Sequence, residues 1–101
     1  MSTHYILDGK TPVPADIMTW AQWFSTNGDG RTVAKTEVGG MLVSTVFLGL
    51  DHNWGDGPPP LFETMIFGGP LDQEYQERCS TWEQAEAMHL EGINTAKRML
   101  A

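Results

Sequence analysis

A pair of glycines between two β-rich segments constrains the fold of this chain most strongly. Thr32–Val38 and Met41–Leu50 are rich in β-branched residues and flank Gly39-Gly40. Two glycines suit a two-residue hairpin turn, whose central residues both need positive φ. Since neither face of Met41–Leu50 is polar throughout, this segment is expected to be a central strand covered on both sides. The predicted register pairs Val38–Met41, Glu37–Leu42, Thr36–Val43, Lys35–Ser44, Ala34–Thr45, Val33–Val46 and Thr32–Phe47.

Two further apolar segments predict strands. His4–Gly9 is a short apolar run that ends in an Asp-Gly turn signal. Leu61–Phe67 is apolar, and Gly68-Gly69-Pro70 ends it. The polar stretch that follows, 70–79, is expected to be irregular.

The register across the ten-residue connection 51–60 determines one cross-strand contact. A symmetric closure places Leu48 opposite Glu63, with Arg31 just beyond Leu48. We therefore expect Arg31 and Glu63 to lie in contact across the sheet.

The first predicted helix covers about 15–26. Pro12 and Pro14 precede it and suit the entrance to a helix, because proline is tolerated in a first turn. Asp16 lies near the positive end of the helix dipole, and Asn27-Gly28 is a typical stop. The i, i+3, i+4, i+7 spacing of one apolar face is formed by Ile17, Trp20, Ala21 and Phe24.

The second predicted helix covers about 81–100. Ser80 and Glu83 match a capping box, in which a hydroxyl and a carboxylate bond the free amides of the first turn. Gly92 in mid-helix costs about 1 kcal/mol against alanine, which indicates close approach to the sheet. The apolar stripe consists of Ala85, Met88, Gly92, Ala96 and Met99, with Trp82, His89 and Ile93 beside it.

These elements follow the order β-α-β-β-β-α. They predict a single α+β domain over residues 1–101, with a mostly antiparallel sheet of about four strands and two amphipathic helices. Helices on one face of the sheet would leave the other face apolar. A homodimer or another partner would then bury that face.

The charge of the chain is acidic and uneven. Thirteen Asp and Glu against six Lys and Arg give a net charge of −7, and residues 51–101 hold nine of the acids but three of the bases. Such a field opposes direct nucleic-acid binding and favours a basic partner, although it also serves solubility alone. The acids concentrate in 72–91, where Arg78 faces Asp72, Glu74, Glu77, Glu83, Glu86 and Glu91.

The sequence predicts a cytoplasmic protein that does not enter a membrane. No apolar run approaches the roughly 20 residues of a membrane span. The N-terminal MSTHYILDGK has no cationic segment followed by an apolar stretch, so it is not read as a secretory signal. Cys79 is alone, which excludes an intrachain disulfide and a cysteine metal cluster.

The loop GLDHNWGDGPPPLFE, 49–63, is the best candidate for a contact site. Loops of this length without structure of their own are often functional. Trp54 stands on a polar, glycine-rich stretch, where an aromatic ring either covers the edge of the core or anchors a partner. The predicted partner-binding residues come from this loop and the acidic stretch after it: Asp51, His52, Asn53, Trp54, Asp56, Asp72, Glu74 and Glu77.

The same loop region contains residue types that bind metals or transfer protons, namely Asp51, His52, Asp56 and Glu63. Their spacing is not a recognised ligand pattern, and a Gly/Pro loop would position them poorly. Neither a metal nor an organic cofactor is predicted. No residue is assigned a catalytic role, and the balance is against an enzyme.

Histidine, cysteine and threonine residues elsewhere have mainly structural interpretations. His89 beside the helix stripe is expected to be a packed, hydrogen-bonded side chain. Cys79 precedes a helix N-terminus, which lowers a thiol pKa, but the neighbouring glutamates oppose the thiolate. A row of threonines on one sheet face would either bind a small polar ligand or reflect the strand preference of threonine. That row consists of Thr32, Thr36, Thr45 and Thr64.

Four strings cover nearly the whole chain: TPVPADIMTWAQWF at 11–24, VAKTEVGG at 33–40, VSTVFLGLDHNWGDGPPPLFETMIFGG at 43–69 and STWEQAEAMH at 80–89. Together they resemble an uncharacterised family of small proteins encoded by tailed bacteriophages and prophages. The central VSTVFLGLDH is the most specific part. The resemblance implies expression inside an infected bacterium and an accessory role, and it assigns no role to any residue.

Three functions remain open. The first is a phage-encoded accessory protein in the host cytoplasm that binds a host or phage protein stoichiometrically and inhibits a host enzyme or antiviral defence system. The second is a protein that sequesters a nucleotide-like signal, which the acidity opposes unless Lys35, Arg31 or Arg78 cluster. The third is a metal-dependent hydrolase using Asp51, His52 and Glu63. A minor structural component of the phage particle is a further alternative.

Overall fold

The computed structural model describes residues 3–51 and 57–100. These residues form a mainly antiparallel α+β fold with two sheets, one of two strands and one of four in the order β3-β4-β5-β6. The elements in chain order are β1 Tyr5–Asp8, β2 Thr11–Pro14, α1 Ile17–Thr26, a 3-10 turn Asp29–Arg31, β3 Thr32–Val38, β4 Met41–Phe47, β5 Phe62–Phe67, β6 Gln76–Cys79 and α2 Trp82–Met99.

The predicted fold class is confirmed, with two strands more than the sequence pattern indicated. The region of Pro12 and Pro14, expected to lead into a helix, forms β2, which pairs with β1 across the Gly9-Lys10 turn. Proline is tolerated there because β2 is an edge strand whose outer side needs no N–H donor. The stretch expected to be irregular contains β6, which pairs with β5.

The Gly39-Gly40 hairpin forms as predicted, with φ of 53° and 85° at the two glycines. The predicted β3–β4 register is correct from Val38–Met41 to Ala34–Thr45. Beyond Ala34 the register shifts by one residue, so Thr32 pairs with Val46 rather than with Phe47. The predicted Val33–Val46 and Thr32–Phe47 pairs are therefore wrong, because an irregularity at Val33 adds a residue to one strand.

The expected contact between Arg31 and Glu63 is also wrong. Glu63 pairs with Val46 on one side and with Arg78 on the other. The Arg78 Nε donates to the Glu63 Oε2 at 3.0 Å. The Arg31 guanidinium lies instead over the Phe24 ring, 4.6 Å from its centroid. The contact between Glu63 and Arg78 was not predicted because Arg78 lies on β6, a strand that the sequence pattern did not indicate.

Helix α2 covers one face of the four-stranded sheet. Its buried residues are separated by three or four positions, as the predicted stripe requires. The predicted close approach of Gly92 is confirmed, since a Cβ there would meet Val43 and Thr64. The buried residues are Ala85, His89, Gly92 and Ala96.

The capping box of α2 lies one residue later than predicted. The Thr81 hydroxyl, not that of Ser80, accepts from the backbone N–H of Gln84. The Gln84 Oε1 accepts in turn from the N–H of Thr81 and of Ser80, so Glu83 takes no part in the box. Either start satisfies the sequence pattern of a hydroxyl followed three residues later by an acceptor.

Helix α1 packs through part of the predicted face: Trp20 and Phe24 are half-buried, whereas Ile17 and Ala21 are exposed, and Trp23 joins the packing side. Ile17 is 61% exposed, whereas Trp23 and Phe24 contact Phe47 at the end of β4. The Asp16 side chain caps the helix by accepting from the Thr19 N–H. Both helices therefore pack on the side of the sheet to which Phe47 points.

Strand β4 is central in the sheet, as predicted, but described elements cover only one of its faces. Val43 and Phe47, which face the helices, have 0% exposure; on the other face Leu42 and Val46 are half-buried and Ser44 is 7% exposed. Since no helix or strand in the described ranges packs on that second face, the expected cover on both sides is confirmed for the helical face alone. No helix in the described ranges has the length and apolar character needed to cross a membrane.

Candidate functional site

The structure places the start of the 49–63 loop against the N-terminal segment. Leu50 forms an isolated bridge with His4, and the Asp51 N–H donates to the Thr3 carbonyl at 3.0 Å. The other predicted contact residues of the loop, His52, Asn53, Trp54 and Asp56, lie outside the described residues. Their proposed role stays a prediction.

The predicted acidic residues Asp72 and Glu74 lie at the opposite end of the sheet from Asp51. The loop that contains Asp51 enters β5 at Phe62, whereas Asp72 and Glu74 follow the end of β5 at Phe67. A strand of this length spans about 17 Å. The Asp72 carboxylate also has a local task, because its Oδ1 accepts from the Gly68 N–H at 2.7 Å. The structure therefore does not bring these acids together with Asp51.

Glu77, the remaining predicted residue, lines a groove between β6 and α2. We call this the β6–α2 groove; it is open to solvent and has a volume of about 550 Å³. Exposed carboxylates stand on both sides of it, Glu77 on β6 and Glu91 on α2. Its lining residues are Tyr75, Glu77, Arg78, Cys79, Gln84, Ala87, Met88 and Glu91.

The groove joins an apolar floor to an acidic rim. Met88, Cys79 and Tyr75 are half-buried and supply the floor. The cation of Arg78 does not neutralise the rim carboxylates, since it pairs with Glu63. The arrangement suits a ligand with an apolar body and a positive charge.

Strand β6 adds backbone groups to this groove. It is the last strand in the order β3-β4-β5-β6, so in the described part of the chain only its β5 side has a strand partner. The N–H and C=O groups on the outer side of such an edge can pair with an added strand. An extended segment of another protein is thus a fitting occupant.

Cys79 in the groove has little nucleophilic character. Burial raises the pKa of its thiol, which disfavours the thiolate at neutral pH. Its Sγ lies 3.7 Å from the Thr81 carbonyl oxygen. A helix N-terminus lowers the pKa of a thiol and nearby glutamates raise it, and burial adds to the raising effect.

A buried network joins His89 of α2 to threonines on three strands. The His89 Nδ1 lies 2.8 Å from the Thr45 Oγ1, and the Nε2 lies 2.9 Å from the Thr36 Oγ1. Thr45 and Thr64 share a further hydroxyl–hydroxyl bond. Thr45 and Thr64 are fully buried and His89 is 5% exposed. Both ring nitrogens are satisfied by neutral partners, which is the arrangement of a structural histidine.

The electrostatics of the network favour a neutral imidazole. Burial lowers the pKa of His89, because the imidazolium cation loses hydration there. A small cavity of about 220 Å³ adjoins the ring and is lined by Val33, Ala34, Glu86, His89 and Leu90. Since this lining lacks a Lys or Arg, the cavity does not suit an anionic nucleotide-like ligand.

The sequence contained the parts of this network without their connection. Thr36, Thr45 and Thr64 do lie on one sheet face, and His89 is packed and hydrogen-bonded, as predicted. Thr36 and Thr45 bond His89, and Thr64 bonds Thr45. Thr32, the fourth member of the predicted row, pairs with Val46 beyond the register shift. A helical histidine and a threonine row, taken together, are the signal that would have indicated the network.

Metal and hydrolytic chemistry find little support in the described ranges 3–51 and 57–100. No group of three or more His, Cys, Asp or Glu there could hold a metal ion. Of the residues considered for a hydrolase, His52 lies outside these ranges, and the Glu63 carboxylate is engaged by Arg78.

Comparisons with known proteins add no family. No family model, curated protein or solved structure matches the chain.

Proposed function

We propose that this chain is a phage-encoded accessory protein that acts in the host cytoplasm by stoichiometric binding to a partner protein. The partner contributes a basic, extended segment, and its activity, that of a host enzyme or antiviral defence system, is inhibited on binding. The observation that carries the proposal is the β6–α2 groove, in which an edge strand adjoins an apolar floor and two exposed carboxylates.

The chemistry of the groove supports a protein rather than a nucleic acid as partner. Phosphates would approach Glu77 and Glu91 in a molecule of net charge −7, and the repulsion would oppose binding. A Lys or Arg side chain has the complementary charge. It also has a methylene stem that can pack on Met88 while its charged end reaches a carboxylate.

Electrostatics would govern the rate of encounter, and desolvation would determine the lifetime of the complex. Long-range attraction between the acidic surface and a basic partner raises the association rate and weakens with salt. Burial of Met88 and pairing of the free β6 edge would then slow dissociation. Binding at this groove needs no catalytic residue.

The test is affinity purification from infected cells, with mass spectrometry of protein and small-molecule partners. Three forms are compared: the wild type, the groove variant Glu77→Lys/Glu91→Lys, and the control Asp8→Lys/Asp29→Lys, which reverses two exposed charges outside the groove. The control should retain the partner of the wild type, and the groove variant should lose it.

Purified components then give the stoichiometry and the affinity by titration calorimetry. We expect one partner per groove, at least tenfold weaker binding for the groove variant, and weaker binding at high salt. Equal affinities for the two double variants would refute the groove. Modification of many partner molecules by one copy of the protein would refute stoichiometric action.

A further inference from the structure

The face of the four-stranded sheet opposite α2 is apolar along its centre. Side chains alternate along β4 and β5, so those next to the fully buried Val43 and Ile66 point away from the helices. Leu42 pairs with Phe67, and Ser44 pairs with Met65. We call this the open sheet face; its centre consists of Leu42, Ser44, Val46, Met65 and Phe67.

An antiparallel sheet that faces water normally carries polar residues on that side. Here the two central strands carry Leu, Val, Met and Phe, and Phe67 is 38% exposed. A cavity of about 320 Å³ opens beside Leu42 and Phe67, with Glu37 and Gly68 also in its lining. The face has the composition and relief of an interface.

Charge indicates the occupant. Among residues 3–51 and 57–100, the charged residues of the open sheet face are Lys35 and Glu37 on β3 and the Glu63–Arg78 pair on β5 and β6. These two bases and two acids sum to zero. Within the described ranges the open sheet face therefore carries no net charge, whereas the chain as a whole has a net charge of −7. Two copies of an acidic protein repel least through a face that carries no net charge.

The geometry points to a second copy of this chain on the open sheet face, and we propose a two-fold symmetric homodimer of sheet on sheet. The two-fold axis runs parallel to the strands, between the two sheets and above the space between β4 and β5. It places β4 of one copy over β5 of the other, and β3 of one copy over β6 of the other. Leu42 and its neighbouring cavity then face Phe67 of the second copy, and the reverse contact follows by symmetry. Sheets packed in this way lie about 10 Å apart with interdigitated side chains.

This interface is distinct from the site of the proposed function, because Glu77 and Glu91 of the β6–α2 groove lie on the helical side of the sheet and Arg78 is the one residue named for both surfaces. The dimer would present two grooves on its outer faces. It would thus bind two partner segments, which raises the avidity for an oligomeric target.

The test is sedimentation velocity of the full chain across a concentration series. We expect the wild type to approach twice the 11.2 kDa mass of one chain. Phe67→Glu should raise the dimer dissociation constant at least tenfold. Leu90→Glu, which places the same charge at a 62% exposed leucine of α2, should leave the dimer intact.

A second variant separates interface loss from misfolding. Lys35→Glu changes an exposed side chain and gives the open sheet face a net charge of −2, so it should weaken the dimer most at low salt. Far-ultraviolet circular dichroism should show the wild-type fold for all variants. A wild type that stays monomeric up to about 100 µM overturns the proposal. If Leu90→Glu loses self-association and Phe67→Glu keeps it, the dimer contact lies on another face and the proposal is wrong. If the wild type is monomeric and Phe67→Glu loses the captured partner protein, the open sheet face binds that partner and not a second copy, which also overturns the proposal.

Discussion

Gly92 of α2 lies directly against Val43 of β4. A Cβ built on Gly92 would stand 2.9 Å from the Val43 Cγ1 and 3.0 Å from the Thr64 Cγ2. These distances are shorter than an ordinary carbon–carbon contact. The helix is thus seated on the sheet at a separation that only a glycine at this position permits.

Gly92→Ala should destabilise the protein. Alanine improves helix propensity by about 1 kcal/mol, but overpacking a filled core costs about 1–3 kcal/mol. We expect a net loss of about 1 kcal/mol in the free energy of unfolding, measured by urea denaturation. When measured in a Val43→Ala background, the loss caused by Gly92→Ala should be smaller, because the shorter side chain at position 43 leaves space for the added Cβ. A Gly92→Ala protein more stable than the wild type would contradict the close packing.

Thr45→Val should cost more than its nearly equal volume indicates. The change removes the hydroxyl that bonds both His89 and Thr64, so two buried polar groups lose a partner. Such a loss costs about 1–3 kcal/mol. The control is Thr11→Val at an exposed position of β2, where we expect a change within about 0.5 kcal/mol. Equal urea midpoints for the two variants would show that the network adds nothing to stability.

His89 should make stability depend on pH. Burial lowers its pKa in the folded state, whereas the unfolded chain has the ordinary value of about 6.5. Below about pH 6.5 the unfolded state therefore binds a proton that the folded state does not, and the free energy of unfolding falls as pH decreases toward the folded pKa. The slope is at most about 1.4 kcal/mol per pH unit, and the contribution is fully present above about pH 7.

The measurement is urea unfolding between about pH 5.5 and 7.5, across the ordinary histidine pKa. His89→Gln should remove the slope that His89 contributes, whatever its effect on absolute stability. Glu86→Gln, which removes the carboxylate lining the same cavity, should keep it. A slope unchanged in His89→Gln would assign the pH dependence to other groups.

Gly49 and Gly9 form a matched pair for separating backbone strain from steric overlap. Their φ values are 72° and 64°, so alanine meets comparable strain at both. A Cβ at Gly9 meets nothing within 4 Å, but at Gly49 it would lie 2.7 Å from the Phe24 Cε2 and 2.9 Å from the Tyr5 carbonyl oxygen. Gly49 also accepts from the Trp20 indole at 3.1 Å.

We expect Gly9→Ala to cost about 1–2 kcal/mol from the left-handed conformation. Gly49→Ala should cost a further 1–3 kcal/mol, roughly the penalty for overpacking, because the Tyr5 carbonyl belongs to a paired strand and cannot move aside. The difference between the two urea-derived free energies is the observable. A difference of zero would mean that α1 is not held against Gly49.

The candidate site was predictable in part. The acidic character of 72–91 pointed to Glu77, which lines the β6–α2 groove. Asp72 had the same signal, yet its carboxylate caps a turn. Charge along a sequence does not distinguish these roles, since both residues lie within the same polar stretch, 70–79. Glu91 belongs to the acidic stretch but was not among the predicted contact residues. It lies beside Glu77 because β6 pairs with β5 next to α2, and the sequence pattern did not indicate β6.

Local patterns determined the Gly39-Gly40 hairpin, the strands on either side of it and most of helix α2, because turn chemistry and side-chain periodicity act over a few residues. Tertiary structure alone decided the β6 pairing, the Arg78–Glu63 salt bridge and the bonds from His89 to its threonines. The first two depend on the length of the connection between β5 and β6, and the bonds from His89 depend on where α2 lies on the sheet. A shift of one residue in a strand register turns a side chain to the opposite face, so no local pattern can encode it.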